Sequence, residues 1–175
     1  MSVLKLNQIQ TASGVIMANL NSSGANAGIQ LASNLAPAFR VSPSTNQTIS
    51  HNTLTKVSFG SETFDTNNNF ASSTFTPTVA GYYKQNYNLA LNVTDGRQYY
   101  FLVDIFKNGV SVYQYEFSNA GNAGGRESVT FSDMVYLNGT GDYMEVYLYS
   151  YDYTSSGSVA VRSNSSWSSS LARSA

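Results

Sequence analysis

Residues 59 to 87 read FGSETFDTNNNFASSTFTPTVAGYYKQNY, with aromatic side chains at Phe59, Phe64, Phe70, Phe75, Tyr83 and Tyr87 separated by short polar residues. That mixture is not one amphipathic helix, which would place apolar residues at steps of three and four. Asp65 and the asparagines 67 to 69 mark a turn between two short strands, because Asp and Asn side chains bond the nearby backbone and tolerate left-handed φ. Thr76-Pro77 interrupts the chain again, and Gly81 opens a long strand. There Tyr83, Gln85, Tyr87, Leu89, Leu91 and Val93 alternate with Lys84, Asn86, Asn88, Ala90 and Asn92. Period-two alternation puts the two sets on opposite faces. The strand buries one side and wets the other, as in an antiparallel sheet. Gln85 lies on the inward stripe and needs a hydrogen-bond partner there.

Downstream, Tyr99 to Phe106 is strongly apolar, with Tyr99, Phe101, Val103 and Ile105 on one face. Lys107-Asn108-Gly109-Val110 is a hairpin signal, since Asn-Gly accepts positive φ at both central positions of a type I′ turn. The returning strand runs from Val110 to about Phe117, and residues 119 to 125 (NAGNAGG) form a Gly-rich loop. That loop lacks the Lys-Ser/Thr ending of a phosphate-binding loop. Strands follow at Val129–Leu137 and Tyr143–Tyr153, then short ones at Val159–Val161 and Ser166–Leu171. Upstream, Ala38 to Val41 is a strand after Pro37, Ser42 to Asn52 a polar loop, and Leu54 to Phe59 a strand. About ten short strands, turns every eight to twelve residues and no helical segment predict an all-β sandwich over residues 37–175.

Residues 1–36 differ. No charged residue stands between Lys5 and Arg40, and the apolar residues are too sparse to hold a helix. The segment reads as a disordered leader or as an extended arm ordered by packing on neighbours. Charged residues are 11% of the chain, with nine basic against ten acidic. No electropositive excess supports nucleic-acid binding. With no cysteine, disulfides and thiolate chemistry are excluded. No apolar run approaches a membrane span. The opening MSVLKLNQIQ lacks the apolar core of a secretion signal, and assembly into a particle released by lysis would account for an extracellular role.

Catalytic chemistry has little to stand on. His51, the sole histidine, sits in a polar loop without a neighbouring carboxylate or nucleophile motif. The ten acidic residues could supply a glycosidase pair, but sequence cannot bring two together. A stripe of Tyr147, Tyr149, Tyr151 and Tyr153 is more informative, because Met144, Val146 and Leu148 on the opposite face already supply core. The stripe is either the second face of a fully buried strand or a subunit interface, where tyrosine is enriched.

The order Phe59, Asp65, Phe70, Phe75, Gly81, Tyr83 and Tyr87 resembles C1q-like domains of the C1q/TNF superfamily. Ala38-Phe39-Arg40-Val41, Gly141-Asp142 before Met144-Val146-Leu148, and Trp167-Ser168-Ser169 before Leu171 fit the same pattern, so the resemblance spans residues 38 to 173. Two departures stand out: the Phe70–Phe75 gap is two residues short, and Gln85 replaces a Phe. The resemblance implies a ten-stranded jelly roll packed as a homotrimer, with the tyrosine stripe of Tyr147, Tyr149, Tyr151 and Tyr153 at the interface. It also implies a non-enzymatic binding role without a cofactor, although some members hold calcium, for which Asp95 or Asp152 would be the candidates here. The opening VLKLNQIQTASG resembles phage tail-fibre and virion proteins. The expectation is therefore a virion adhesion protein, fixed to a capsid or tail by residues 1–36. Its loops, with Asn46, His51, Asp95, Arg97, Asn119 and Asn122, would face a host glycan or surface protein. The alternative is a secreted or surface-displayed C1q-like binding module.

Overall fold

The computed structural model describes strands at residues 8–10, 16–20 and 29–31, then residues 37–93, 97–119, 125–154 and 157–174. No described residue is helical. The first three strands, β1 (Gln8–Gln10), β2 (Ile16–Leu20) and β3 (Ile29–Leu31), pair antiparallel in a small sheet of their own within the N-terminal segment.

The rest is a two-sheet sandwich. Its strands are β4 (Ala38–Ser42), β5 (Gln47–Ile49), β6 (Thr55–Lys56), β7 (Ser61–Asp65), β8 (Phe70–Ala71), β9 (Thr74–Phe75) and β10 (Gly81–Asn92). They continue as β11 (Tyr99–Lys107), β12 (Val110–Ser118), β13 (Arg126–Leu137), β14 (Met144–Asp152), β15 (Val159–Val161) and β16 (Ser166–Ser174). The first sheet is built on β10. One edge of β10 pairs with β13 over its full length. The other edge is shared end to end by β16, from Gly81 to Asn88, and β15, at Leu91 and Asn92. Beyond β16 come β4 and β7, and beyond β15 comes β5. The second sheet runs β12-β11-β14, with β6 and β9 along the far side of β14 and β8 outside β9.

The expected alternation places the core. Tyr83, Gln85, Tyr87, Leu89 and Leu91 of β10 are buried and face Tyr99, Phe101, Val103 and Ile105 of β11 and Met144, Val146 and Leu148 of β14 across the sandwich. Trp167 of β16 is fully buried, with Phe39, Phe59, Phe70 and Tyr87 at ring-centroid distances of 5.2, 5.7, 5.4 and 5.9 Å. The partner that Gln85 requires is this indole: Trp167 Nε1 donates to Gln85 Oε1 at 2.9 Å.

Local chemistry explains the turns. Asn108 and Gly109 hold φ of 54° and 76°, as the β11–β12 hairpin demands. Asp65 accepts from the backbone N–H of Asn67 and Phe70, which closes the asparagine-rich turn. The shortened Phe70–Phe75 gap becomes a tight β8–β9 hairpin in which Ser72 and Ser73 take φ of 50° and 58°. The polar stretch 42–52, read as a loop, contains β5. Its buried Ile49 is one apolar residue in a polar run, too little for a periodic signal.

One row crosses the core differently. Ser169, Gln85 and Asp133 are in register across β16, β10 and β13. Ser169 Oγ, Gln85 Nε2, Asp133 Oδ1 and the nearby Tyr87 hydroxyl are buried with no hydrogen-bond partner among the described residues. Burial pushes the Asp133 carboxyl above its ordinary 3.8 and, with the Asp133 charge adding to it, pushes the Tyr87 hydroxyl well up. A raised carboxyl keeps its proton in the native state where the unfolded chain has released it. Stability from this group is therefore complete below pH 3.8 and is lost as pH rises through the elevated value. Asp133→Asn should raise the unfolding midpoint at pH 7 and leave it nearly unchanged at pH 3, as urea titrations at the two pH values would show; equal shifts at both would place the effect in packing instead.

Candidate functional site

Three surfaces carry the polar and aromatic chemistry that the core does not absorb. The first is the sandwich end where residues 97–98, 119, 153–154 and 157 meet. Asp152, at the end of β14, has a fully buried side chain paired with Arg97 Nη1 at 2.6 Å. Thr154 donates to its Oδ1 from the backbone at 2.8 Å and from Oγ1 at 2.7 Å, while Gly157 N donates to Oδ2 at 3.0 Å. Burial alone would raise this carboxyl, but the bonds from Thr154, Gly157 and Arg97 hold it well below the usual carboxylate range. Asn119 is buried with its amide fully engaged: Oδ1 accepts from Tyr99 N at 2.6 Å and Nδ2 donates to the Arg97 carbonyl at 3.1 Å. His51 Nδ1 accepts from Asp152 N at 3.1 Å, and its ring lies 4.8 Å from that of Tyr151.

Among the described loop residues expected to face a ligand, Asn119 is buried, His51 and Arg97 are half-buried, and Asn46 is exposed. Asn119 is not a solvent-facing loop residue but a clamp that ties the end of β12 to the start of β11 and to Arg97 before it. Arg97 is held by Asp152 and His51 by the backbone of β14, while Asn46 Oδ1 accepts from Ser163 N at 3.0 Å and fixes the β15–β16 turn. Asp95 and Asn122 lie outside the described residues. As a calcium ligand Asp152 fits poorly, because both of its oxygens already face donors, one of them a cation. Among the described residues no three of His, Cys, Asp or Glu gather as a metal site.

The second surface is the outward face of the second sheet. It carries the stripe of Tyr147, Tyr149, Tyr151 and Tyr153, so this face of β14 is not a second core. The rings pack within the chain: Tyr147 on Phe106 at 4.6 Å, Tyr149 near Tyr100 at 6.2 Å, and Tyr151 on Tyr153 at 5.3 Å. The Tyr149 hydroxyl donates to Asn52 Oδ1 at 2.7 Å. The carboxylates of this sheet are also engaged. Asp104 accepts from Ser111 and Gln114, and Glu145 from Lys56 at 2.7 Å. At the far end Asp142 binds Asn108 at 2.7 Å and Lys107 at 2.9 Å, which lowers its carboxyl and ties the β11–β12 turn to the start of β14.

The third surface is the edge where β12 and β13 leave the sandwich open, which the sequence pattern did not reveal. Tyr113, Tyr115 and Phe117 lie on the core-directed side of β12, opposite Ile105, Val103 and Phe101. Yet Tyr113 and Tyr115 remain 52% and 40% exposed. Tyr115 stacks on Phe131 at 5.1 Å, and Phe131 on Tyr87 at 4.6 Å, so the rings run from the core out to solvent. Around the corner, Met134 is 60% exposed beside Tyr82 and Tyr136, whose rings are 5.4 Å apart. Among the described residues no helix is long and apolar enough to cross a membrane.

No protein-family model matches the sequence, and no curated protein matches it. Solved structures match in fold. Crystal structures of murine APRIL at pH 5.0 and pH 8.5 align with TM-scores of 0.55 and 0.53, at 10% and 9% identity. Both alignments cover 78% of this chain and 98% of the other. The globular domain of zebrafish complement 1qA protein aligns at 18% identity over 79% of this chain and 98% of its own, with a TM-score of 0.46. The two-sheet domain is a C1q/TNF-like jelly roll.

The loop clamp has a measurable consequence. A β-carbon on Gly157 would sit 2.7 Å from both Asp152 Oδ2 and the Tyr99 hydroxyl, so Gly157→Ala must open the clamp. Asp152→Ala should cost on the order of 2 kcal/mol in urea unfolding at pH 7, because it removes a buried carboxylate that holds the half-exposed Arg97 guanidinium and the donors of Thr154 and Gly157. The depressed carboxyl contributes stability above the ordinary 3.8 that is lost as pH falls through its lower native value, so the two proteins should converge in strong acid.

Proposed function

We propose that this chain is a non-enzymatic binding module that works as a homotrimer, held on a phage particle by residues 1–36 and presenting its outer surface to a host glycan or surface protein. The observation that carries the assembly is the open β12–β13 edge. A nine-residue edge strand with almost every residue exposed, and rings aimed at a core that does not cover them, is an association liability unless another copy seals it. Met134, Tyr82 and Tyr136 extend that surface onto the neighbouring face. Three copies is the stoichiometry that the C1q-like sequence pattern implies. A heterologous contact closes into such a ring only when the two patches lie at an angle, as an edge and an adjoining face do. The β14 stripe is a second reading of the interface, favoured by the exposure of Tyr151 and Tyr153, although its rings already pack on one another.

A binding role without catalysis is supported by the carboxylates. Asp104, Asp142, Glu145 and Asp152 each hold donors that shape the loops or sheets. Particle attachment through the N-terminal segment is supported by its lack of charge between Lys5 and Arg40, which suits packing against protein more than solvent.

Sedimentation separates the two interfaces. Met134→Asp should reduce the mass threefold to the 18.9 kDa monomer while Tyr149→Asp leaves the trimer intact; the reverse result would move the interface to β14, and a wild-type monomer would remove the assembly altogether. Deleting residues 1–36 should leave a folded trimer that no longer co-purifies with particles. Retained co-purification would put the anchor elsewhere.

A further inference from the structure

Charge is divided unequally between the two sheets. The ion pairs among the described residues, Lys56–Glu145, Arg97–Asp152 and Lys107–Asp142, all involve the second sheet or the loops at its ends. Five of the nine Lys and Arg residues, Arg40, Lys84, Arg126, Arg162 and Arg173, belong to the first sheet or its β15–β16 turn, and none has an ion-pair partner among the described residues. The outward positions of β4, β10, β13 and β16 carry no carboxylate. Such a face attracts anions over a distance set by the ionic strength.

On this face lies a shaped cavity. Eight residues beyond Tyr82, about 26 Å along β10, Ala90 forms its floor. Asn88, Arg126, Glu127, Arg162 and Asn164 stand around it, lining an open depression of about 430 Å³. The wall is fixed rather than incidental. Ser165, itself buried, accepts from Ala90 N at 2.9 Å and donates to Ala90 O at 3.2 Å, while Arg162 N donates to the same carbonyl at 2.8 Å. Asn46 holds Ser163 from the other side. The turn carrying Arg162 and Asn164 is thus pinned over β10, and only a methyl at position 90 leaves the space beneath it open.

We infer that this cavity binds an anionic sugar unit of a polysaccharide, an assignment that rests on the binding-module reading and gives it a ligand class. The forked guanidinium groups of Arg126 and Arg162 suit a carboxylate, sulfate or phosphate. Asn88 and Asn164 offer the mixed donors and acceptors that ring hydroxyls need. The Glu127 carboxylate only accepts, so it suits a hydroxyl but repels the acidic group, which the two arginines must hold on their own side. No aromatic ring lines the cavity, so a neutral sugar would lack a stacking platform; recognition falls to charge and hydrogen bonds. The cavity lies at the end of the first sheet away from Tyr82, Met134 and Tyr136, so assembly through those residues leaves it open to a repeating acidic polymer.

The test uses the full-length protein, its oligomeric state checked by sedimentation, with calorimetric titration of oligogalacturonate, dextran sulfate, neutral dextran and a short single-stranded oligodeoxynucleotide. Saturable binding of a charged glycan and none of dextran is expected; the first two probes tell whether a carboxylate or a sulfate is taken. Arg126→Ala and Arg162→Ala should each weaken binding at least tenfold, and Ala90→Leu, which fills the floor without changing charge, should do the same. Lys84→Ala and Arg173→Ala remove equal charge near the other end of β10 and should cost less than threefold. Equal losses from all four charge removals, unaltered binding in Ala90→Leu, or tighter binding of the oligodeoxynucleotide would overturn the site. Failure of both charged glycans to bind a protein that still sediments as a trimer would sink this inference and leave the assembly reading standing.

Discussion

Within the ladder that joins the middle of this chain to its last strand, one side-chain hydrogen bond lies in the core, from the Trp167 indole to Gln85 at 2.9 Å. It joins β16 to β10 at the centre of the first sheet and fixes the indole where rings from β4, from the segment before β7 and from β8 converge. An amide in the core is costly unless paired, and a buried indole N–H is costly for the same reason. Each group answers the requirement of the other. The fold therefore depends on the closing strand arriving in one register only, because a slip by one residue would turn Trp167 outward and orphan Gln85.

The strands that could be read from sequence were those burying one face. The stripes of β10, β11 and β14 alternate cleanly enough that their inward residues could be named before any coordinates. The Asn108-Gly109 hairpin and the Asp65 turn followed from side-chain chemistry acting over two to five residues. What escaped depends on pairing between distant segments. β5 carries a single buried apolar residue, so it has no burial pattern that periodicity could report, whereas β12, placed correctly by its hairpin, gave no sign that its rings would stay exposed. Polarity likewise cannot tell an asparagine facing solvent from one such as Asn119, whose amide closes the gap between Tyr99 and Arg97. The cavity was invisible for the same reason: Ala90, Arg126 and Arg162 come together only because three strands share β10.

The two faces of the sandwich solve different problems with one composition. On the second sheet acids and bases neutralise each other locally, and tyrosines cover what remains. On the first, hydroxyls and amides such as Asn86, Ser132 and Ser168 leave the basic residues without ion pairs among the described residues. With so few charges in the chain, their placement matters more than their number, and a net charge of −1 conceals a molecule with a basic face.

β15 and β16 lie end to end along one edge of β10, so the sheet has a break there that the turn at residues 162–165 fills. Residues inserted or lost at the tip of that turn would displace no buried ring, because the hydrophobic interior is completed by Val161 on one side and Trp167 on the other. Descendants of this chain could thus acquire new recognition properties by varying the length of a few surface residues, while the scaffold beneath them stayed untouched.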